Sequence, residues 1–326
     1  MIDIDRLEFV GKDLRRPECV LATADGALHL SDWRGGVTVI APGGAQRSIL
    51  AKGDFMPKPN GIGLLADGSW LLAHLGDEDG GLYRLQQDGT LSPFLLTVEG
   101  EDLSPTNYVH VDGRGRTWAT VSTRLSPRSL GYRGDVADGY IVLLDYDGAR
   151  IVADGLGYTN ECLVHPISGQ LYVNETFARR LSRFDVADDG SLSNKKTIAE
   201  FGAGTFPDGL TFDAEGGIWI TSIVSNRVIR VDAEGGQEVV LEDSDSAHLD
   251  WVEKAYRTGT MGRPHLDRAA GRRLKNISSL AFGGRDLKTV YLGCLLGDAV
   301  ASFRSDVAGL PPYHWNHPSF AEALPA

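Results

Sequence analysis

The apolar residues of this 326-residue chain fall in short runs that alternate with polar positions, each run closed by a glycine-containing turn and answered by a second run. Residues 206–220 show the unit most clearly. Asp208 heads one apolar strand, Ala214-Glu215-Gly216-Gly217 turns, and Ile218-Trp219-Ile220 returns. Alternation with a period of two, bounded by Asp-Gly or Gly-Gly pairs, predicts hairpins, because those pairs supply the positive-φ residues of tight turns. The pairs recur at Asp25-Gly26, Asp67-Gly68, Asp88-Gly89, Asp147-Gly148, Asp189-Gly190 and Gly235-Gly236. The chain is therefore predicted to be all-β.

The unit repeats. Glu18, Asn60, Asn107, Asn160, Asp208 and Ser278 each head a copy, at successive separations of 42, 47, 53, 48 and 70 residues. A repeat of roughly 40 to 50 residues with several strands per unit predicts propeller blades. Six units predict a six-bladed β-propeller as a single domain over residues 1–326, with blades near 16–50, 58–96, 105–153, 158–201, 206–241 and 276–304. The sixth is a strand short. Residues 7–10 are expected to complete it and hide an open sheet edge, with residues 311–315 as the rival.

The widest interval predicts a short helical insertion between blades five and six, at about 242–275. Residues 243–259 combine a cap-like Asp/Ser cluster, apolar Leu249, Val252, Ala255 and Tyr256, and a terminating glycine. The basic stretch 261–275 reads as a loop, either one wall of a pocket or a surface excursion.

Composition narrows the partners. Net charge is -12 with an isoelectric point near 5.1, and no run of Lys or Arg exceeds two residues. Nucleic acid and anionic membrane surfaces both require a basic footprint, so neither is expected. No apolar run approaches the roughly 20 residues of a membrane span, and the N-terminus lacks a signal-peptide pattern. The expectation is a cytoplasmic monomer or weak homo-oligomer. Cys19, Cys162 and Cys294 show no zinc-site spacing and read as buried apolar residues. Strand alternation is expected to turn Cys19 and Cys162 away from the side their neighbours Glu18 and Asn160 face.

Equal positions on the innermost strands of a propeller face one another across its axis. The six heading residues would then form a ring of two carboxylates, three carboxamides and a hydroxyl. Any one of them alone would read as a turn residue, but five oxygen-bearing acids and amides in register suit a hard divalent cation. Two acids facing each other without a cation would repel at a cost. Among the histidines, His74, His110 and His165 read as packed, His314 and His317 as surface, and His248 and His265 as candidates to reach a substrate.

The segments Arg16-Pro17-Glu18, Thr159-Asn160-Glu161 and Phe206-Pro207-Asp208-Gly209-Leu210, in that order and at blade spacing, carry a resemblance that spans nearly the full chain. The sequence resembles the senescence marker protein/gluconolactonase/luciferin-regenerating enzyme family of six-bladed propellers. The resemblance implies that Glu18, Asn160 and Asp208 hold one divalent metal, with Asn107 at or beside it as ligand or substrate contact. The related diisopropyl fluorophosphatase propellers use a similar Glu, Asn, Asn, Asp set around calcium. Calcium is the first expectation, with zinc, manganese, magnesium and iron(II) as alternatives.

The activity this implies is hydrolysis of a small lactone, with a metal-polarised carbonyl attacked by an activated water. Asp208 is the candidate base and Glu18 its catalytic partner; Asn107, Asn60 and His265 are candidate substrate contacts. One departure stands out. Sugar lactonases of the family usually carry an arginine at the third-blade site, and residues 104–110 contain none. Hydrolysis of phosphotriesters or aryl esters, or non-catalytic binding of a ligand or partner, are the other readings of the same scaffold.

Overall fold

The computed structural model describes residues 1–76 and 78–318; Asp77 and the last eight residues of the expected 1–326 domain lie outside them. Six antiparallel sheets of four strands each make a six-bladed β-propeller. Their innermost strands are Val20–Ala22, Pro59–Leu64, Thr106–Val111, Thr159–Val164, Phe206–Phe212 and Ile277–Gly283. Each packs against the innermost strands on either side, and the sixth returns to the first, so the ring closes.

Closure uses the N-terminus. Strand Glu8–Val10 pairs antiparallel with Val300–Arg304, with Phe9 opposite Ala301, and supplies the missing fourth strand of blade six. The Arg273 guanidinium holds the approach to that strand by donating to the carbonyls of Ile4 (3.0 Å), Asp5 (2.7 Å) and Leu7 (3.0 Å). The rival segment instead forms a turn of 3-10 helix, Tyr313–Asn316.

Hairpin turns are fixed by their aspartates. Asp213 Oδ1 accepts from the amides of Glu215 (2.9 Å) and Gly217 (2.7 Å), while its Oδ2 accepts from Trp219 Nε1 (2.8 Å) and Arg230 Nε (2.6 Å). Asp112 does the same for Arg114, Arg116 and Trp118 in blade three. One side chain thus satisfies the turn amides and pins the tryptophan of the returning strand, which explains why the Asp-to-Gly turns carry the register.

The insertion holds two helices where one was expected. Helix α1, Ser246–Arg257, starts at the Asp245 cap, whose carboxylate accepts from the His248 amide (3.0 Å). The stretch expected as a loop contains a second helix, α2, Arg263–Asp267, entered through Pro264 in its first turn. That proline is compatible with a helix start, so a Pro-containing basic stretch can turn helical once its apolar side finds a partner. Here the partner exists: Val252, Ala255, Met261 and Leu266 pack with Tyr132, Tyr158, Phe177, Phe206 and Ile223 of the blades. Arg179 adds an ion pair to Glu253 and lies over the rings of Phe206 (4.3 Å) and Tyr256 (3.9 Å). Asp243 closes the base by accepting the amides of Arg272, Arg273 and Leu274. The insertion is a packed wall over one end of the axis.

Among the described residues no helix is long and apolar enough to cross a membrane. All three cysteines are free and buried. Burial pushes the Cys294 thiol up to about 12 and raises those of Cys19 and Cys162 as well, so none is a ready nucleophile.

Blade four contains a fully buried acid away from the axis. Glu175 is 0% exposed and accepts from the Gly157 amide (2.8 Å), Arg180 Nε (2.8 Å) and Ser182 Oγ (2.6 Å), with Lys195 at 2.9 Å. Burial opposes its ionisation, but these partners outweigh burial and lower its pKa to about 2. A carboxylate depressed from 4.5 to about 2 contributes stability that is fully present above pH 4.5 and is lost as pH falls through 2, on the order of 3 kcal/mol. Glu175→Gln is expected to unfold at lower urea at pH 7 and to lose less stability than the parent between pH 4.5 and 2, measured by urea titrations across that range.

Candidate active site

The six heading residues do not sit in regular strand. The inner strand slips register against its neighbour between Pro59 and Ile62, Thr106 and Tyr108, Thr159 and Cys162, Pro207 and Leu210, and Ile277 and Leu280. Asn60, Asn107, Asn160, Asp208 and Ser278 therefore lie inside bulges. A bulge removes residues from the ladder and re-aims their side chains, so five blades use the same device to present a polar group at the axis. In blade one Glu18 precedes the strand, and Arg16, at φ 50°, makes the bend before it.

The bulge also brings backbones together. A Cβ on Gly209 would lie 2.5 Å from the Ser278 carbonyl oxygen and 2.6 Å from Ser279 Cα, so the residue after Asp208 must be glycine for blades five and six to meet. Gly61, the residue after Asn60, stands in the same relation to Tyr108. Asp208 is tied from the other side by Asn174 Nδ2, which donates to the carbonyls of Asp208 and Gly209 (both 3.0 Å), and by Thr176 Oγ1, which donates to Pro207 O (2.8 Å).

Four of the expected residues come together. Glu18, Asn107, Asn160 and Asp208 line one small cavity of about 30 Å³ at the end of the axis beneath the insertion. The remaining three stand apart from it. Asn60 Nδ2 donates to Asn107 Oδ1 (3.2 Å), and Asn107 Nδ2 donates on to Ser122 Oγ (3.0 Å). Asn60 thus orients Asn107, and its own buried Oδ1 has no partner. Ser278 Oγ donates to the Glu18 carbonyl (2.9 Å), joining blades six and one. The His265 ring stacks on Trp251 at 4.1 Å, and its Nδ1 accepts from the Gly262 amide (3.0 Å), so it serves the packing of the insertion. Its neighbours Arg263 and Leu266 face the cavity instead.

Glu18 is 7% and Asp208 6% exposed. Burial pushes the Asp208 carboxyl well above its ordinary range, and the negative charge of Glu18 pushes it further, against weaker opposition from Asn160 and Arg16. Arg16 Nε donates to Glu18 Oε2 (2.9 Å). Asn160 Nδ2 donates to Asp208 Oδ1 and to Thr176 Oγ1 (2.9 Å), which commits the amide nitrogen to the protein and leaves its oxygen as the atom able to bind a cation. Among the described residues no three His, Cys, Asp or Glu side chains cluster as a metal site; the donors here are two acids and two amides.

Other residues around the ring were not anticipated. Glu161, beside Asn160, does not line the small cavity; it is buried and held above its ordinary range by burial and then by Asp208 and Glu18, despite accepting the Leu210 amide (3.0 Å). Arg128, Tyr132, Tyr158 and Arg263 line the cavity itself. Arg128 begins a turn of 3-10 helix, Arg128–Gly131, in the long connection between Val121 and Gly139. The unusual length of that connection is the sequence signal that points to it.

The inner strands run on from the ring along the axis and enclose a second void of about 740 Å³ lined by Cys19, Tyr108, Glu161, His165 and Phe212 among others. Cys19 lines this void, whereas its neighbour Glu18 lines the small cavity. His314, expected at the surface, also lines it, and burial lowers its pKa to about 3.

A family model described as the SMP-30/Gluconolactonase/LRE-like region matches residues 16–242. The chain is 27% identical over 216 residues to 6-deoxy-6-sulfogluconolactonase of Pseudomonas putida, covering 65% of this chain and 62% of that protein. It is 26% identical over 236 residues to the pentonolactonase XacC of Haloferax volcanii, covering 67% and 68%. The chain thus spans somewhat under two thirds of the first relative's length. Among solved structures, a gluconolactonase from Xanthomonas campestris superposes with a TM-score of 0.67 at 19% identity, over 93% of this chain and 89% of that one.

Gly209→Ala is expected to lower stability by about 2 kcal/mol or more, because the new Cβ meets backbone on blade six and cannot be accommodated by a rotamer change. Equilibrium unfolding in denaturant checks this. A variant as stable as the parent would mean that blades five and six do not make this contact.

Proposed function

The chain belongs to the SMP-30/gluconolactonase/LRE-like family, and from that premise we propose that it is a divalent-metal-dependent lactonase that hydrolyses the ring ester of a small sugar-acid or related lactone. One observation carries the reading: two buried acids from opposite parts of the chain, Glu18 and Asp208, line one cavity with the amides of Asn107 and Asn160.

The donor set fits an oxygen-coordinated cation. Burial and mutual repulsion hold Asp208 against ionisation, and a cation between the acids would relieve that strain. Glu18, Asp208 and Asn160 would hold the ion, with Asn107 as fourth ligand or substrate contact. The oxygen ligands favour calcium and also accommodate magnesium or manganese. When bound, the ion supplies electrophilic stabilisation of the ester carbonyl and of charge developing on its oxygen.

The protein's own groups do the rest. Asp208 takes a proton from the attacking water as the water oxygen bonds to the carbonyl carbon, and returns a proton to the ring oxygen as the ester C–O bond breaks. The product is the open-chain hydroxy acid. Arg16 orients Glu18 by donating to its Oε2. Asn60 orients Asn107 through their amide contact. Tyr158, held neutral by burial, offers a hydroxyl donor or acceptor to the lactone.

Glu18→Gln and Asp208→Asn are each expected to lose bound metal and to cut kcat/KM by about a thousandfold or more. Elemental analysis of the purified proteins, together with proton release from a lactone panel with and without chelator, checks both. Full activity in metal-free Asp208→Asn protein would refute the assignment.

A further inference from the structure

We propose, on the premise of the lactonase reading, that the lactone carries a fixed anionic substituent, a carboxylate, sulfonate or phosphate remote from its scissile carbonyl, and that Arg128, with Arg263 beside it, receives that anion.

Arg128 is 7% exposed and lies on the wall of the cavity that holds Glu18 and Asp208. Its buried Nε has no hydrogen-bond partner, and among the described residues the guanidinium forms no ion pair. A guanidinium cannot shed its proton, so Arg128 is a permanent charge held out of water. Such a charge is costly unless a partner arrives.

The other charges at the cavity are already matched. Arg16 is paired with Glu18 at 2.9 Å and Arg263 with Asp267 at 2.6 Å. The cation that acts on Asp208 is Arg16. With a divalent ion bound, Arg16, Arg128 and the ion together outweigh the two acids Glu18 and Asp208, and Arg128 is the cation with no acid of its own. Tyr132 and Tyr158 stand beside it as phenols, able to hydrogen-bond to an anion but not to neutralise the arginine.

An uncompensated fork of donors flanked by phenol hydroxyls matches the planar or tetrahedral oxygens of an oxyanion, which it can grip with two parallel bonds. A neutral lactone would leave the same charge buried and unpaired, so selectivity arises from the cost of the wrong partner as much as from the bond to the right one. Position fits as well. The side chain of Arg263 is 34% exposed while it also lines the cavity, and it shares a five-residue helix with Leu266 of the cavity wall. The cavity of about 30 Å³ has room for an ion or a water but not for a lactone ring. Entry therefore displaces side chains at its mouth, and an anion drawn to Arg128 and Arg263 supplies a reason for them to move.

The test compares a neutral aldonolactone with the same lactone bearing a terminal carboxylate, sulfonate or phosphate, using the metal-loaded parent, Arg128→Gln, Arg128→Lys and Arg263→Gln. The parent is expected to favour at least one anionic form by about tenfold or more in kcat/KM, with a KM that rises with salt. Arg128→Gln is expected to collapse that ratio about tenfold, Arg263→Gln to reduce it less, and Arg128→Lys to retain part of it. Which of the three anions gains most identifies the headgroup. A parent with no anionic preference, or a folded, metal-loaded Arg128→Gln that keeps it, overturns the assignment. Calorimetric binding of an open-chain sugar dicarboxylate to parent and Arg128→Gln separates the two readings. Loss of binding in the variant supports the anion site even if no lactone is turned over, which would fault the lactonase reading alone; equal binding in both proteins overturns the anion site.

Discussion

Two carboxylates that the chain keeps almost 200 residues apart come together, nearly buried, at the propeller axis, and the surrounding structure answers that electrostatic burden. Burial and the neighbouring charge of Glu18 raise the cost of ionising Asp208. Arg16 pairs with Glu18, the Asn160 amide nitrogen turns to Asp208, and the Asn60 to Asn107 to Ser122 chain fixes the amide opposite. Buried acids arranged in this way favour protonation or a cation, and the amide oxygens left over favour the cation. Stability and chemistry therefore draw on the same contact.

Placing those groups demands precision that a regular strand cannot give. The bulges release the ring residues from the ladder, and cross-blade bonds re-fix them: Asn174 and Thr176 of blade four hold the backbone of Asp208, and Ser278 of blade six holds that of Glu18. Each site residue is thus anchored by a neighbouring blade, and the closed ring makes those anchors mutually dependent. The insertion adds the remaining wall through an apolar cluster it shares with blades three to five. Arg263 and Leu266 reach the cavity because α2 is packed there.

Charge is distributed against the average. The chain as a whole carries -12, yet three arginines line the small cavity, two of them matched by acids and one left without a partner. Bulk composition reports the solvated surface, where carboxylates repel one another weakly through water. A single guanidinium out of water weighs more heavily on what can bind than a dozen surface acids.

The amino-acid sequence alone determined the blade repeat and the six positions that head its copies, because period-two alternation and Asp-Gly turns are local signals that survive in any context; it left two terminal segments as candidates to close blade six, and the pairing of Glu8–Val10 with Val300–Arg304 decided between them. The N-terminal cap and apolar face of α1 were local in the same sense. It did not reveal α2, whose apolar residues mean little until the blades offer them a surface. Nor did alternation foresee that bulges would re-aim the ring residues, that His314 would face the axial void, or that Asn60 and Ser278 would support the cavity from outside it. Arg128 and Arg263 are ordinary arginines along the chain, and only the closure of the propeller places them around the buried acids. What the tertiary structure decided is which polar groups share one water-poor space, since electrostatic coupling depends on distance and burial, and neither is written in the order of residues.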